Sequence, residues 1–335
     1  MKISGKKKTA LLTALFVSLG ILAGCGAKAN EKGNVMIYTS IYPDIIELMK
    51  PVLKEKFPDI TVEWFQGGTE SVVTKITGEI EAKSIQADLL MVADPSYYLT
   101  LQKQDLLAKY DFAERAKTTM KDAEGYWTGV RISNMIIAYN TDLVTEADAP
   151  KSFEDLLDPK WQGKIAMPSP LLSGTAFVAA GSLSEKYGWE YFDKLKANGV
   201  IVEKGNSAVQ SKLLTGEYAV AMILEENILK LADAGEPVKV VYPTDGTIVI
   251  PSPIAMFKAS KNQDASKKIM EWFLTTEGQE LIVKGWMHSV REDVASPKGA
   301  EALSSFIGTK METNWSLFST DSETIKSTFS KKVLE

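Results

Sequence analysis

The sequence predicts an α/β protein of two lobes, each built on a parallel-rich sheet with helices on both faces, and joined by two hinge strands. Three observations lead there. Apolar runs of strand length alternate with segments of helical spacing, as in parallel, doubly wound sheets. Two long extended runs rich in β-branched residues, 125–144 and 238–258, are long enough to carry the chain from one lobe to the other and back. About 310 residues follow the N-terminal leader, more than one core usually organises.

The leader comes first in the chain. Lys2, Lys6, Lys7 and Lys8 precede an apolar stretch, 10–23, and a small-residue site. This is a secretory signal, too short to span a membrane. Its ending "LAGC" resembles a bacterial lipobox. The resemblance implies cleavage after residue 24 and lipidation of Cys25, with residues 25–33 as lipidated cysteine and polar tether. Acyl chains would then hold the protein on the extracytoplasmic face of the cell membrane.

"NVMIYTS" (34–40) reads as the first strand. Pro43 suits the first helical position, and Ile45, Ile46, Leu48, Met49, Val52 and Leu53 then recur at helical spacing. Pro51 is expected to kink or shorten that helix. Residues 59–65 form a second strand, 71–83 a helix and 87–94 a buried strand. The run 125–144 crosses to the second lobe, where 152–246 supply a second α/β unit of short helices and strands. The run 238–258 returns. The remainder is helical by spacing and is expected to pack on the first lobe. The first lobe is thus 34–133 with 247–335, and the second is 134–246.

Composition removes several function classes. One histidine and one cysteine exclude Cys/His zinc sites and leave a hydrolase triad only His288. No GxGxxG, Walker or GxSxG pattern occurs. No catalytic residue, cofactor or resident metal is therefore expected, and the protein reads as a binder, not an enzyme. Any metal would be a hard cation on oxygen ligands. The net charge is −5 and becomes more negative once the leader lysines are gone, which argues against a nucleic-acid partner. A monomer is expected.

What remains has the chemistry of an anion cradle. "TSIYP", "GGTES" and "SGTAF" each put hydroxyls or glycine-freed amides at an expected helix start, where unpaired N–H groups and the helix dipole favour negative charge. The candidate ligand-binding residues are Ser40, Thr69, Ser173, Gly174 and Thr175, with Arg131 on the crossing strand able to fork onto two oxygens. In "AVAMILEENILK" an apolar strand ends in Glu225 and Glu226, which with Asp94 would meet the other end of a ligand. Tyr42, Trp64 and Trp127 are candidate cleft walls. Tyr97 and Tyr98 read as lobe packing, and His288 as structural.

"DLLDPKWQGKIAMPSPLLSGTA", "IIAYNTDLV", "QADLLMVADPSYYLTLQKQDLLAKY" and "TTEGQELIVKGW" together resemble the substrate-binding lipoproteins of bacterial ABC importers. The branch is the one with ferric-iron-binding proteins and binders of phosphorylated sugars, thiamine and aminoethylphosphonate. The likeness runs from residue 34 to about 294. It implies the type II periplasmic-binding-protein fold, a membrane permease as partner, and capture of a small solute between the lobes. Ferric members carry adjacent tyrosines just after the strand that corresponds to "GEYAVAMIL", and often a histidine after the first strand. Here Glu226 and Asn227 stand near the tyrosine positions, and "YTSIYPD" holds no histidine. The expected ligand is a small anion bearing phosphate or phosphonate, with a cationic or hydroxyl-bearing tail. The alternative is ferric iron held by carboxylates and an anion.

Overall fold

The computed structural model describes residues 33–118 and 120–335. The signal segment, Cys25 and most of the tether lie outside the described residues. The chain opens with β1 (Gly33–Thr39), α1 (Pro43–Lys56), β2 (Ile60–Gln66), α2 (Thr69–Glu81), β3 (Leu89–Met91) and α3 (Pro95–Lys103). β1 pairs in parallel with both β2 and β3, as the strand–helix–strand alternation requires. β4 (Thr128–Asn140) then leaves this lobe, and all of its side chains are buried.

The second lobe contains β5 (Ile165–Pro168), α4 (Gly174–Tyr187), α5 (Glu190–Ala197), β6 (Ile201–Glu203), α6 (Asn206–Leu214), β7 (Val220–Leu224), α7 (Glu225–Asp233) and β8 (Val238–Val241). β5 pairs in parallel with β6 and β7. β9 (Ile248–Met256) carries the chain back, antiparallel to β4 from Thr128 opposite Ile254 to Met135 opposite Ile248. α8 (Gln263–Phe273), α9 (Thr276–Lys284), α10 (Leu303–Phe306) and α11 (Trp315–Phe329) complete the chain. The strand order β2-β1-β3-β9-β4-β7-β5-β6 shows what the crossings do: β4 and β9 make one hydrogen-bonded path of the two sheets. Two antiparallel strands travelling in opposite directions form the connection between the lobes. The architecture is the two-lobed α/β arrangement predicted from the alternation, with apolar clusters on both faces of each half-sheet.

Two local expectations fail. α1 runs through Pro51 without interruption, because Pro51 lies on the solvent face. There the carbonyl of Glu47, deprived of its donor, can be hydrated instead. The C-terminal segment also does not stay with the first lobe. α8 and α9 do pack there, through Ile269, Phe273 and Ile282. α11 instead places Phe318 and Phe329 in the core of the second lobe, with ring centroids 5.8 Å from Phe177 and 5.3 Å from Phe192. Gly181 makes this approach possible: a Cβ there would lie 2.4 Å from the Phe318 ring. On its other side α11 meets the first lobe through polar contacts, Lys326 to Glu70 at 2.7 Å and Ser319 to Thr100 at 3.0 Å.

Phe318 is fully buried, so Phe318→Ala is expected to cost about 3–5 kcal/mol, measured as a lowered denaturation midpoint. A change below about 1 kcal/mol would mean that α11 is not an integral part of the second lobe's core.

Candidate functional site

The ends of β1, β3 and β7 and the starts of α1, α2, α4, α6 and α7 converge on a cavity of about 420 Å³ between the lobes. Strand ends that face helix starts follow from the winding, since each parallel strand hands over to its helix at the same sheet edge. The first lobe contributes Ser40, Tyr42, Gly68 and Thr69; the second contributes Ser173, Thr175, Asn206, Ser207 and Glu226; Arg131 of β4 lies on the floor.

Arg131 is only 3% exposed. One terminal nitrogen approaches the Sδ of Met287 at 3.0 Å, the other the Oγ of Ser40 at 3.3 Å. Its Nε has no partner, and among the described residues it makes no ion pair. Burial pulls its pKa down, and the negative charge of Glu226 opposes that shift. A β-bulge between Gly129 and Arg131 accompanies the point where the side chain is set; such bulges re-aim side chains. Ser40 holds its hydroxyl in place by accepting from the Ala93 N–H at 3.2 Å.

Around the guanidinium the helix starts offer unspent donors. α2 and α6 begin at Gly68 and Gly205 with no side-chain cap, so their first N–H groups are free to face an anion. α4 begins at Ser173, whose Oγ accepts from the Ala176 N–H at 3.3 Å and lies 3.0 Å from the Thr175 hydroxyl. Asn206 donates from Nδ2 to Thr175 at 3.2 Å, while its buried Oδ1 has no partner. Glu226, 4% exposed, accepts from Ser133 at 2.8 Å. Burial, aided by the neighbouring Glu225, pushes its pKa up to about 7 against the pull of Arg131. The Tyr42 hydroxyl, its pKa raised by burial and then by Glu226, donates to Asn227 Oδ1 at 3.1 Å across the lobes.

The structure brings Ser40, Thr69, Arg131, Ser173, Thr175 and Glu226 to this one cavity. Three other sequence candidates stand elsewhere. Glu225, adjacent to Glu226 in sequence, points to a different side of α7. It bonds Asn134 at 2.6 Å and His288 at 3.0 Å, and also the Tyr242 hydroxyl, which makes it a buried interlobe brace. Asp94 caps α3 through the Ser96 N–H at 2.9 Å; burial raises its pKa to about 7. Gly174 does not wall the cavity but lets the lobes meet: a Cβ there would lie 2.7 Å from Thr69 Cγ2. Trp64 and Trp127 pack beside lobe cores, and Tyr98 is buried, donating to the Pro253 carbonyl at 2.8 Å. The sequence reading missed the turn 204–208 that leads into α6. Its "GNS" has the same glycine-and-polar helix start as "GGTES", and that signal could have found it.

A cavity between two hinged lobes, walled by helix starts, hydroxyls and a buried cation, is the arrangement of a solute-binding protein. The chain matches the family of bacterial extracellular solute-binding proteins over residues 49–302 and belongs to it; it is a solute-binding component of an ABC importer, acting outside the cytoplasm. It is 28% identical over 251 residues to a putative 2-aminoethylphosphonate-binding periplasmic protein of Salmonella paratyphi A, covering 71% of this chain and 72% of the relative. It is 24% identical over 296 residues to an Fe(3+)-binding periplasmic protein of Serratia marcescens, covering 84% of each. The fold matches the periplasmic binding protein AfuA of Actinobacillus pleuropneumoniae with fructose-6-phosphate bound, at a TM-score of 0.81 and 20% identity, over 90% of this chain and 99% of the other. Iron-bound HitA of Pseudomonas aeruginosa superposes with a TM-score of 0.78 at 22% identity, over 88% and 99%. These relatives are binding proteins.

Two outcomes follow from the geometry. Glu226 has a folded pKa above its unfolded one, so the folded state binds the extra proton between about pH 4.5 and 7. The Glu226 contribution to stability should therefore fall as pH rises through that window, by about 2–3 kcal/mol; Asp94, also raised to about 7, adds a slope of the same sign, so denaturant titrations should show Glu226→Gln removing about half of the total. Gly174→Ala should wedge Thr69 away and weaken every ligand at least tenfold, leaving their ranking unchanged. Unaltered affinity in titration calorimetry would show that the lobes close without this contact.

Proposed function

We propose that this protein is a lipid-anchored receptor, tethered through Cys25, that captures a small organic phosphate or phosphonate between its lobes and delivers it to an ABC permease. The observation that carries this reading is Arg131, a buried guanidinium with no ion pair among the described residues and an unpartnered Nε. An isolated buried charge is costly, and a phosphoryl group supplies both the counter-charge and the planar oxygen pair that a guanidinium forks onto. The Thr69, Ser173 and Thr175 hydroxyls and the starts of α2, α4 and α6 supply further donors on the remaining sides. Two or three charge-assisted hydrogen bonds at about 1.5–3 kcal/mol each approach the roughly −8 kcal/mol of a micromolar complex.

A ferric reading draws on the Serratia relative but suits this cavity poorly. Among the described residues that wall it, Glu226 is the one carboxylate, and a trivalent cation there would sit near a buried guanidinium.

Thermal melting with 2-aminoethylphosphonate, a hexose 6-phosphate and ferric citrate tests the reading. Ligand at about 100 times its Kd should stabilise the protein by roughly 2.7 kcal/mol. A shift with a phosphorus compound, lost in Arg131→Met, is the expected result. A shift with ferric citrate alone would overturn it.

A further inference from the structure

Beside the main cavity lies a second one of about 230 Å³, lined by Asp44, Gln210, Asn227, Lys230 and Trp286. Tyr42, Pro43, Ser207 and Glu226 line both spaces, so the two adjoin along a shared wall that includes Tyr42, which hydrogen-bonds Asn227 of the second chamber. We propose that the second chamber is the subsite for a hydroxyl-bearing tail, so that the receptor is built for a two-ended phosphomonoester or phosphonate rather than for a bare oxyanion. This rests on the anion-binding reading of Arg131 and extends it.

Size is the first argument. At about 30 Å³ per water, the main cavity alone has room for roughly a dozen waters, far more than one phosphoryl group displaces. A bare anion on Arg131 would leave most of the space wet. Solute that continues past the phosphoryl group toward Tyr42 and Glu226 reaches residues that also line the second chamber.

The lining gives the chemistry of the tail. Asp44 and Lys230 come from opposite lobes and pair with each other at the rim, so their charges cancel and neither calls for an ionic tail. Asn227 donates to Gln210 Oε1 at 2.6 Å, forming an amide pair on the wall next to Ser207. Glu226 repels a second anionic group. Neutral hydroxyls, which both donate and accept, satisfy amides, Glu226 and Tyr42 together, and the Trp286 ring offers an apolar face for the carbons that carry them.

Trp286 supplies the independent observation. Its φ is +68°, in the left-handed region that a bulky side chain rarely adopts. Glycine would fit this backbone without strain, and Gly285 directly precedes it. Strain of this kind persists where surrounding structure enforces it, and it clusters at ligand sites. The side chain that bears the strain is the one on the chamber wall.

The test is titration calorimetry of the protein with inorganic phosphate, 2-aminoethylphosphonate, glycerol 3-phosphate and sorbitol 6-phosphate. Affinity should rise along the hydroxyl-bearing series, with sorbitol 6-phosphate at least tenfold tighter than phosphate. Trp286→Gly, which removes the wall while relieving the backbone, and Gln210→Phe, which fills the chamber, should each weaken sorbitol 6-phosphate at least tenfold. Phosphate should stay within twofold for both variants. If sorbitol 6-phosphate binds no tighter than phosphate, or if both variants change the two probes equally or not at all, the second chamber is not a tail subsite and the anion site stands alone. If the unaltered protein binds none of the four probes, the anion-binding reading falls, and this inference falls with it.

Discussion

A guanidinium buried in β4 is the constraint around which the cavity between the lobes is built: among the described residues it makes no ion pair. Arg131 projects from β4, a strand buried along its whole length, so it cannot swing out to water. Its protein contacts are a thioether and a serine hydroxyl, both weak compensation for a desolvated charge. Glu226 is close enough to oppose the loss of charge on Arg131, yet it is held by Ser133 instead of forming an ion pair with it. The two buried groups thus stay apart, one disposed toward negative charge and the other toward protonation or a donor. A solute lying between them would relieve both.

That arrangement depends on the crossing strands. β4 and β9 pair with each other and fuse the two half-sheets into one path, so Arg131 belongs to the connection as much as to either lobe. Contacts from both sides converge near it: Tyr42 of the first lobe with Asn227 of the second, Glu225 of the second with His288 from the segment after α9, and Gly174 against Thr69. α11 adds an apolar anchor in the second lobe and a polar contact with α2 and α3 of the first. Apolar packing on one side and exchangeable polar contacts on the other suit a joint that changes angle, because hydrogen bonds to water can replace the polar contacts at little cost.

Much of this was legible in the sequence because it depends on local periodicity. The strand–helix alternation, the two long crossing runs and the helix starts at "GGTES" and "SGTAF" are patterns of neighbouring residues. Six candidates chosen on those grounds share one cavity. The failures are all matters of direction or partner. Glu225 and Glu226 are adjacent carboxylates at one strand end, but successive residues on a helix point about 100° apart. One therefore faces the cavity and the other faces Asn134, Tyr242 and His288. Asp94 has the composition of a ligand residue and the geometry of a cap. The "GNS" turn at α6 reaches the cavity only because β6 lies at the far end of the sheet and its helix folds back over β5 and β7.

By itself the sequence determined the class of fold, a composition with one histidine and one cysteine, and helix starts preceded by glycine or serine. Each of these follows from residue type and short-range spacing, which the chain carries into any environment. Only the tertiary structure decided that Arg131 would be left without a counter-ion, that α11 would cross to the second lobe, and that Trp286 would wall a second chamber. Those outcomes depend on contacts between residues far apart in the chain, such as Tyr42 with Asn227 and Phe318 with Phe177, which no local pattern encodes.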